Sequence, residues 1–128
     1  MQVEQVDFLS IVTQDLDRSR RFYLDTLGLP FEKDTNVGFE CTAGQVTLSV
    51  WEPEKVGVPF APNPNDVALR VDDVAERRKE LEAKGVEFAG DILDTGVCHM
   101  AFFNDPDGND LMLHHRYAPR SDGGDGNA

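Results

Sequence analysis

The chain has 128 residues, 40% hydrophobic and 28% charged, which are the proportions of one compact globular domain. No run approaches the roughly 20 apolar residues that span a bilayer, and the start, MQVEQVDF, has neither the basic residues nor the apolar stretch of an export signal. Twelve basic against 24 acidic residues leave a net charge of −12, which repels phosphate backbones and anionic lipid surfaces, so neither nucleic acid nor membrane is an expected partner and the cytoplasm is the expected location.

Residues 3–13 read as a strand, with Phe8, Ser10 and Val12 alternating against Leu9, Ile11 and Thr13. Asp15 then offers an N-cap, and Asp17 places negative charge in the first helical turn, where the dipole favours it. Leu16, Tyr23 and Leu27 share one helical face, and Gly28 is a C-terminal stop. Residues 37–41 and 46–51 predict short strands about a turn at Ala43-Gly44. Pro53, Pro59, Pro62 and Pro64 make 53–65 a connector through which neither a ladder nor a helix can run. A second strand pattern follows, Val67, Leu69 and Val71 alternating with Ala68 and Arg70. Asp72 and Asp73 can cap a helix that ends at Gly85, and 86–89, 97–103 and 110–115 predict further strands. Asp105-Pro106-Asp107-Gly108 suits a type I turn, with Asp first, Pro second and Gly fourth. Residues 119–128 lack apolar content and are expected to form a flexible tail.

The two halves repeat one another, about 3–52 against 66–116. Phe8 aligns with Asp66, Leu9 with Val67 and Asp15 with Asp73. With one residue removed inside the helix, Leu24 aligns with Leu81 and Gly28 with Gly85; later, Gly44 aligns with Gly108 and Leu48 with Met112. Each half reads strand, helix, then about three strands. The expected fold class is therefore α+β: paired units forming a curved mixed sheet in front of helices, within a single domain over 1–118. Leu9, Ile11, Val67, Leu69 and Val71 form the more apolar face and pack under the helices. The opposite face lines a ligand cavity or meets solvent.

On the cavity reading, Phe8, Leu48, Val50 and Met112 supply apolar contact, and Ser10, Asp66, Arg70 and His114 supply directional groups. Trp51 and Phe39 offer stacking surfaces or belong to the core. Asp66 and His114 are the candidate catalytic pair, acting as acid and base if they meet, or else forming a structural ion pair. His114 and His115 are adjacent on a strand and point to opposite faces, so they cannot easily share one metal. Cys41 and Cys98 are expected as free, inert thiols.

Three phrases, DLDRSRRFYLDTLGL at 15–29, DVALRVDDV at 66–74 and FFNDPDGNDLML at 102–113, resemble the vicinal oxygen chelate superfamily. That superfamily includes glyoxalase I, extradiol dioxygenases, fosfomycin-modifying enzymes and bleomycin-binding proteins, and the resemblance covers about 3–116. It implies βαβββ units paired into a concave sheet, usually within a homodimer. It also implies a divalent metal held by His, Gln or Glu at four positions, which fall here at Phe8, Leu48, Asp66 and Met112. Phe and Leu have no lone pair to donate, and a Met thioether suits hard cations poorly. No metal ligand and no cofactor are therefore expected, unless a rearranged site forms around Asp66 and His114.

The expected function is metal-independent binding of a small molecule, such as the sequestering of a drug or natural product of cationic or aromatic character. The alternative is a lyase, isomerase or dioxygenase-like enzyme that uses a rearranged metal site or Asp66–His114 acid–base chemistry. A noncatalytic subunit is the third reading.

Overall fold

The computed structural model describes residues 1–119, so the expected tail lies, but for Pro119, outside the described residues. The described chain forms two compact units: Met1–Pro64 together with Asp105–Asn109, and Asn65–Asn104 together with residues 110–119. The first unit runs β1 (Phe8–Val12), α1 (Leu16–Arg20), a π-helical stretch (Arg21–Thr26), β2 (Phe31–Asp34), β3 (Gly38–Ala43) and β4 (Val46–Trp51). The second runs β5 (Val67–Arg70), α2 (Val74–Ala83), β6 (Phe88–Asp94), β7 (Cys98–Asn104) and β8 (Asp110–Arg116). Each unit is a βαβββ repeat, and the class is α+β as the sequence suggests. Hydrogen bonding makes two four-stranded mixed sheets rather than one continuous sheet, ordered β1-β4-β3-β2 and β5-β8-β7-β6. In each, the first and last strands of the unit form the parallel pair.

Several boundaries move for physical reasons. β1 begins at Phe8 because its partner register begins there, at Thr47. β2 carries a single apolar residue and is exposed along its length, so no alternation marks it in the sequence. The connector holds one 3-10 turn, Pro53–Val56, with Pro at its start, where a missing N–H costs nothing.

The helix of the first unit explains the residue that the repeat has to drop. Asp15 caps α1, its side chain accepting from the Arg18 amide. The helix then widens into the π stretch, where the Leu27 N–H donates to the Phe22 carbonyl five residues back. A π turn absorbs an inserted residue without rotating the rest of the helix off its face. Phe22 and Tyr23 are both buried there, their rings edge to face at 5.1 Å.

The phrase at 102–113 acts through its loop, which belongs to the first unit. Gly108 N–H donates to the Asp105 carbonyl, closing the expected type I turn. The Asp105 carboxylate accepts from the Tyr23 hydroxyl at 2.6 Å and from the Asn109 amide and side chain. Burial, and then Asp105, raise the Tyr23 pKa far above the ordinary phenol range, so the hydroxyl stays a donor. The Asp107 side chain is fully buried and accepts from Thr13 Oγ1 at 2.6 Å, the Gln14 amide at 2.9 Å and Arg18 at 2.8 Å.

Candidate functional site

Strand register decides which side chains share a face. In the second sheet Ala68 stands opposite Met112, and Arg70 opposite His114. Across β7, Met112 stands opposite Phe102 and His114 opposite Met100, and Leu93 of β6 stands opposite Met100. Ala68, Arg70, Phe102, Met100, Met112 and His114 therefore share the face away from α2. The other face, with Leu111, Leu113, Ala101 and Phe103, is buried beneath α2 through Val74 and Leu81. Phe102 and Met100 were not singled out in the sequence, although their alternation with buried Ala101 and Phe103 marks them.

The first sheet corrects the sequence reading. Phe8, Ser10 and Val12 stand opposite Thr47, Ser49 and Trp51. Leu48 and Val50 pair instead with Leu9 and Ile11, and they lie in the core at 1% and 0% exposure. They are not on the face of Phe8. Phe39 is also core, and Trp51 is on the Phe8 face, its indole N–H donating to Ser10 Oγ. The hairpins explain the slip. Two residues separate Ala43 from its partner Val46, but five separate Asn104 from Asp110. Counting from Gly44 and Gly108 as equivalents shifts the register by one, and a one-residue shift exchanges the two faces. The position that matches Met112 is Ser49.

Asp66 and His114 are not brought together. His114 is level with Arg70, four residues beyond Asp66, or about 13 Å along a strand at roughly 3.3 Å per residue. Asp66 is exposed, and partial burial followed by Asp110 raises its pKa. His114 is buried, and burial first, then Arg70, His115 and Arg116, lower its pKa, so its ring is neutral at pH 7. Both cysteines are buried and free. Burial, and then Glu32, push the Cys41 thiol up to about 11, which leaves it without nucleophilic character at neutral pH.

The implied metal fails on donor chemistry. With the register corrected, its four positions hold Phe8, Ser49, Asp66 and Met112, of which only Asp66 is an anionic ligand, and the neutral Ser49 hydroxyl is too weak a donor to complete a set with it. Among the described residues no three His, Cys, Asp or Glu side chains gather as a metal site. No helix among them is long and apolar enough to cross a membrane.

Comparison with known proteins agrees with this architecture. The family model for the Glyoxalase/Bleomycin resistance protein/Dioxygenase superfamily matches residues 5–113. The chain is 28% identical to the protein YaeR of Escherichia coli (strain K12), over 89% of this chain and 98% of that one. It is similar in fold to an antibiotic binding protein, TnmS3, from a Streptomyces species, at TM-score 0.74 and 24% identity, over 91% of this chain and 98% of that one. It is also similar in fold to lactoylglutathione lyase from Agrobacterium tumefaciens, at TM-score 0.73 and 17% identity, over 88% and 94%.

Proposed function

We propose that this chain, which belongs to the Glyoxalase/Bleomycin resistance protein/Dioxygenase superfamily, binds a small organic molecule without a metal. The site is the face of the second sheet away from α2. One observation carries the reading: Met112, at a position where the superfamily implies a metal ligand, stands between Ala68 and Phe102. A thioether flanked by a methyl group and a phenyl ring, with Met100 and Leu93 beyond, is an adaptable apolar platform. Arg70 and His114 supply hydrogen-bonding groups at one end and Asp66 a carboxylate at the other, the mixture usual for small-molecule sites. The fold likeness to an antibiotic binding protein supports a sequestered natural product, and the net charge of −12 favours one with cationic or aromatic character. The separation of Asp66 from His114 weighs against acid–base chemistry by that pair.

The same reading carries a homodimer in the cytoplasm. Phe8, Leu9 and Phe31, on the two edge strands β1 and β2, are 53%, 38% and 50% exposed, apolar side chains that a second copy could cover. Sedimentation of the full chain tests this; a monomer at all concentrations would contradict it.

The binding reading is tested by a thermal-shift screen of polycyclic aromatic and cationic natural products in EDTA. A compound that raises Tm in EDTA, with the shift reduced in Met112→Ala and Arg70→Ala, is expected. Hits that need Mn, Ni or Zn, or that ignore both variants, would overturn it.

A further inference from the structure

The opposite face of the second sheet holds a cavity of about 380 Å³ at the start of α2, within the size range of small-ligand sites. His99 and His115 are direct partners across β7 and β8, so both rings stand on this face. Each is fixed. His115 Nδ1 lies 3.0 Å from the Val71 carbonyl oxygen. A carbonyl only accepts, so Nδ1 donates, and in the neutral imidazole Nε2 is then an acceptor. His99 stacks on Tyr117 with ring centroids 4.7 Å apart. Asp94 holds both rings: the Tyr117 hydroxyl donates to one of its oxygens at 2.8 Å, and His99 Nε2 lies 3.4 Å from the other. Asp72, Asp73 and Ala75 complete the wall from the helix side.

We propose that this cavity binds a small aromatic cation of the arylalkylammonium class. Among the described residues its lining includes no Lys or Arg, and two carboxylates, Asp72 and Asp73, stand at its edge. Asp72 also pairs with Arg77 at 3.5 Å, but both side chains are exposed and such pairs are weak. The α2 dipole contributes about half a positive charge at this end, which two carboxylates outweigh. The Tyr117 and His99 rings offer an aromatic surface, and the His115 Nε2 acceptor suits an ammonium donor. The site stands on the other side of the sheet from Met112 and Arg70, so it does not rest on the function proposed above.

The test is an amide chemical-shift titration of the full chain with phenethylammonium chloride, with 2-phenylethanol and phenylacetate as neutral and anionic controls. It is run near pH 8. The cation is expected to bind with a Kd on the order of 1 mM, as suits so small a ligand. The Asp72→Asn, Asp73→Asn double variant, which keeps a helix-capping side chain, should weaken it about fivefold. Ala75→Trp, at an exposed position, should fill the cavity and abolish binding, whereas Met112→Ala should leave it unchanged. Equal binding of all three compounds, no binding of the cation, or a response to Met112→Ala but not to Ala75→Trp would overturn the proposal.

Discussion

Ser10 and Ser49 stand directly opposite each other across the parallel β1·β4 pair, while their neighbours Ile11 and Val50 pair into the core. That alternation fixes which residues of β4 can meet a ligand and which hold the fold. Leu48→Ala should therefore cost about 3 kcal/mol, as a fully buried Leu does when truncated. Ser49→Ala should stay within about 0.5 kcal/mol, as a half-exposed side chain does. Urea unfolding of both variants checks this; similar losses would contradict the register.

The Asp107 carboxylate gathers donors from Thr13, Gln14 and Arg18, so that the turn holds the end of β1 and the start of α1. Asp107→Ala leaves several of these donors without an acceptor and should cost about 3 kcal/mol. Asp107→Asn keeps the shape and an acceptor and should cost less. A loss below that of an ordinary surface substitution would show that the network contributes little.

Much of this was legible from residue patterns, and the failures have physical causes. The caps Asp15 and Asp73, the Asp105–Gly108 turn and the two repeats each follow from local chemistry, which a sequence carries directly. β2 escaped because an exposed edge strand needs no alternation. The faces of Leu48 and Val50 were lost because hairpin length sets register and a shared glycine does not. The Asp66–His114 pairing failed because face and level are separate coordinates: both residues fit one face, yet four strand positions part them. The cavity beside His99 and His115 depends on neighbours from three strands and a helix, and no short-range pattern encodes it.

Gly38 is required for space rather than for backbone freedom. A Cβ there would sit 1.8 Å from the Val50 carbonyl oxygen and 2.8 Å from the Trp51 Cα, both backbone atoms that cannot swing aside. Gly38→Ala should force β3 and β4 apart and cost about 3 kcal/mol or more. A Tm equal to that of the parent would contradict the close approach.

His114 makes stability depend on pH in a definite direction. Its folded pKa lies below the ordinary value of 6.5, mainly through burial. As pH falls through 6.5 the unfolded chain takes up a proton that the folded one refuses, so stability declines on acidification until the folded pKa is passed. Well above 6.5 the ring is neutral in both states and adds no slope. His114→Gln should flatten this part of the curve. An unchanged slope between pH 7 and 5, measured by urea unfolding, would place the titration elsewhere.

On the proposed reading, Phe8, Ser49, Asp66 and Met112 leave no donor set for a metal, and the Met112 face would bind its ligand without one. The most direct measurement is metal content by mass spectrometry on the full chain, after incubation with Mn, Ni, Zn or Fe(II) and desalting. Retained metal far below one ion per chain for all four is the predicted result. Near-stoichiometric metal that Asp66→Asn releases would contradict the account and restore a metal centre to this face.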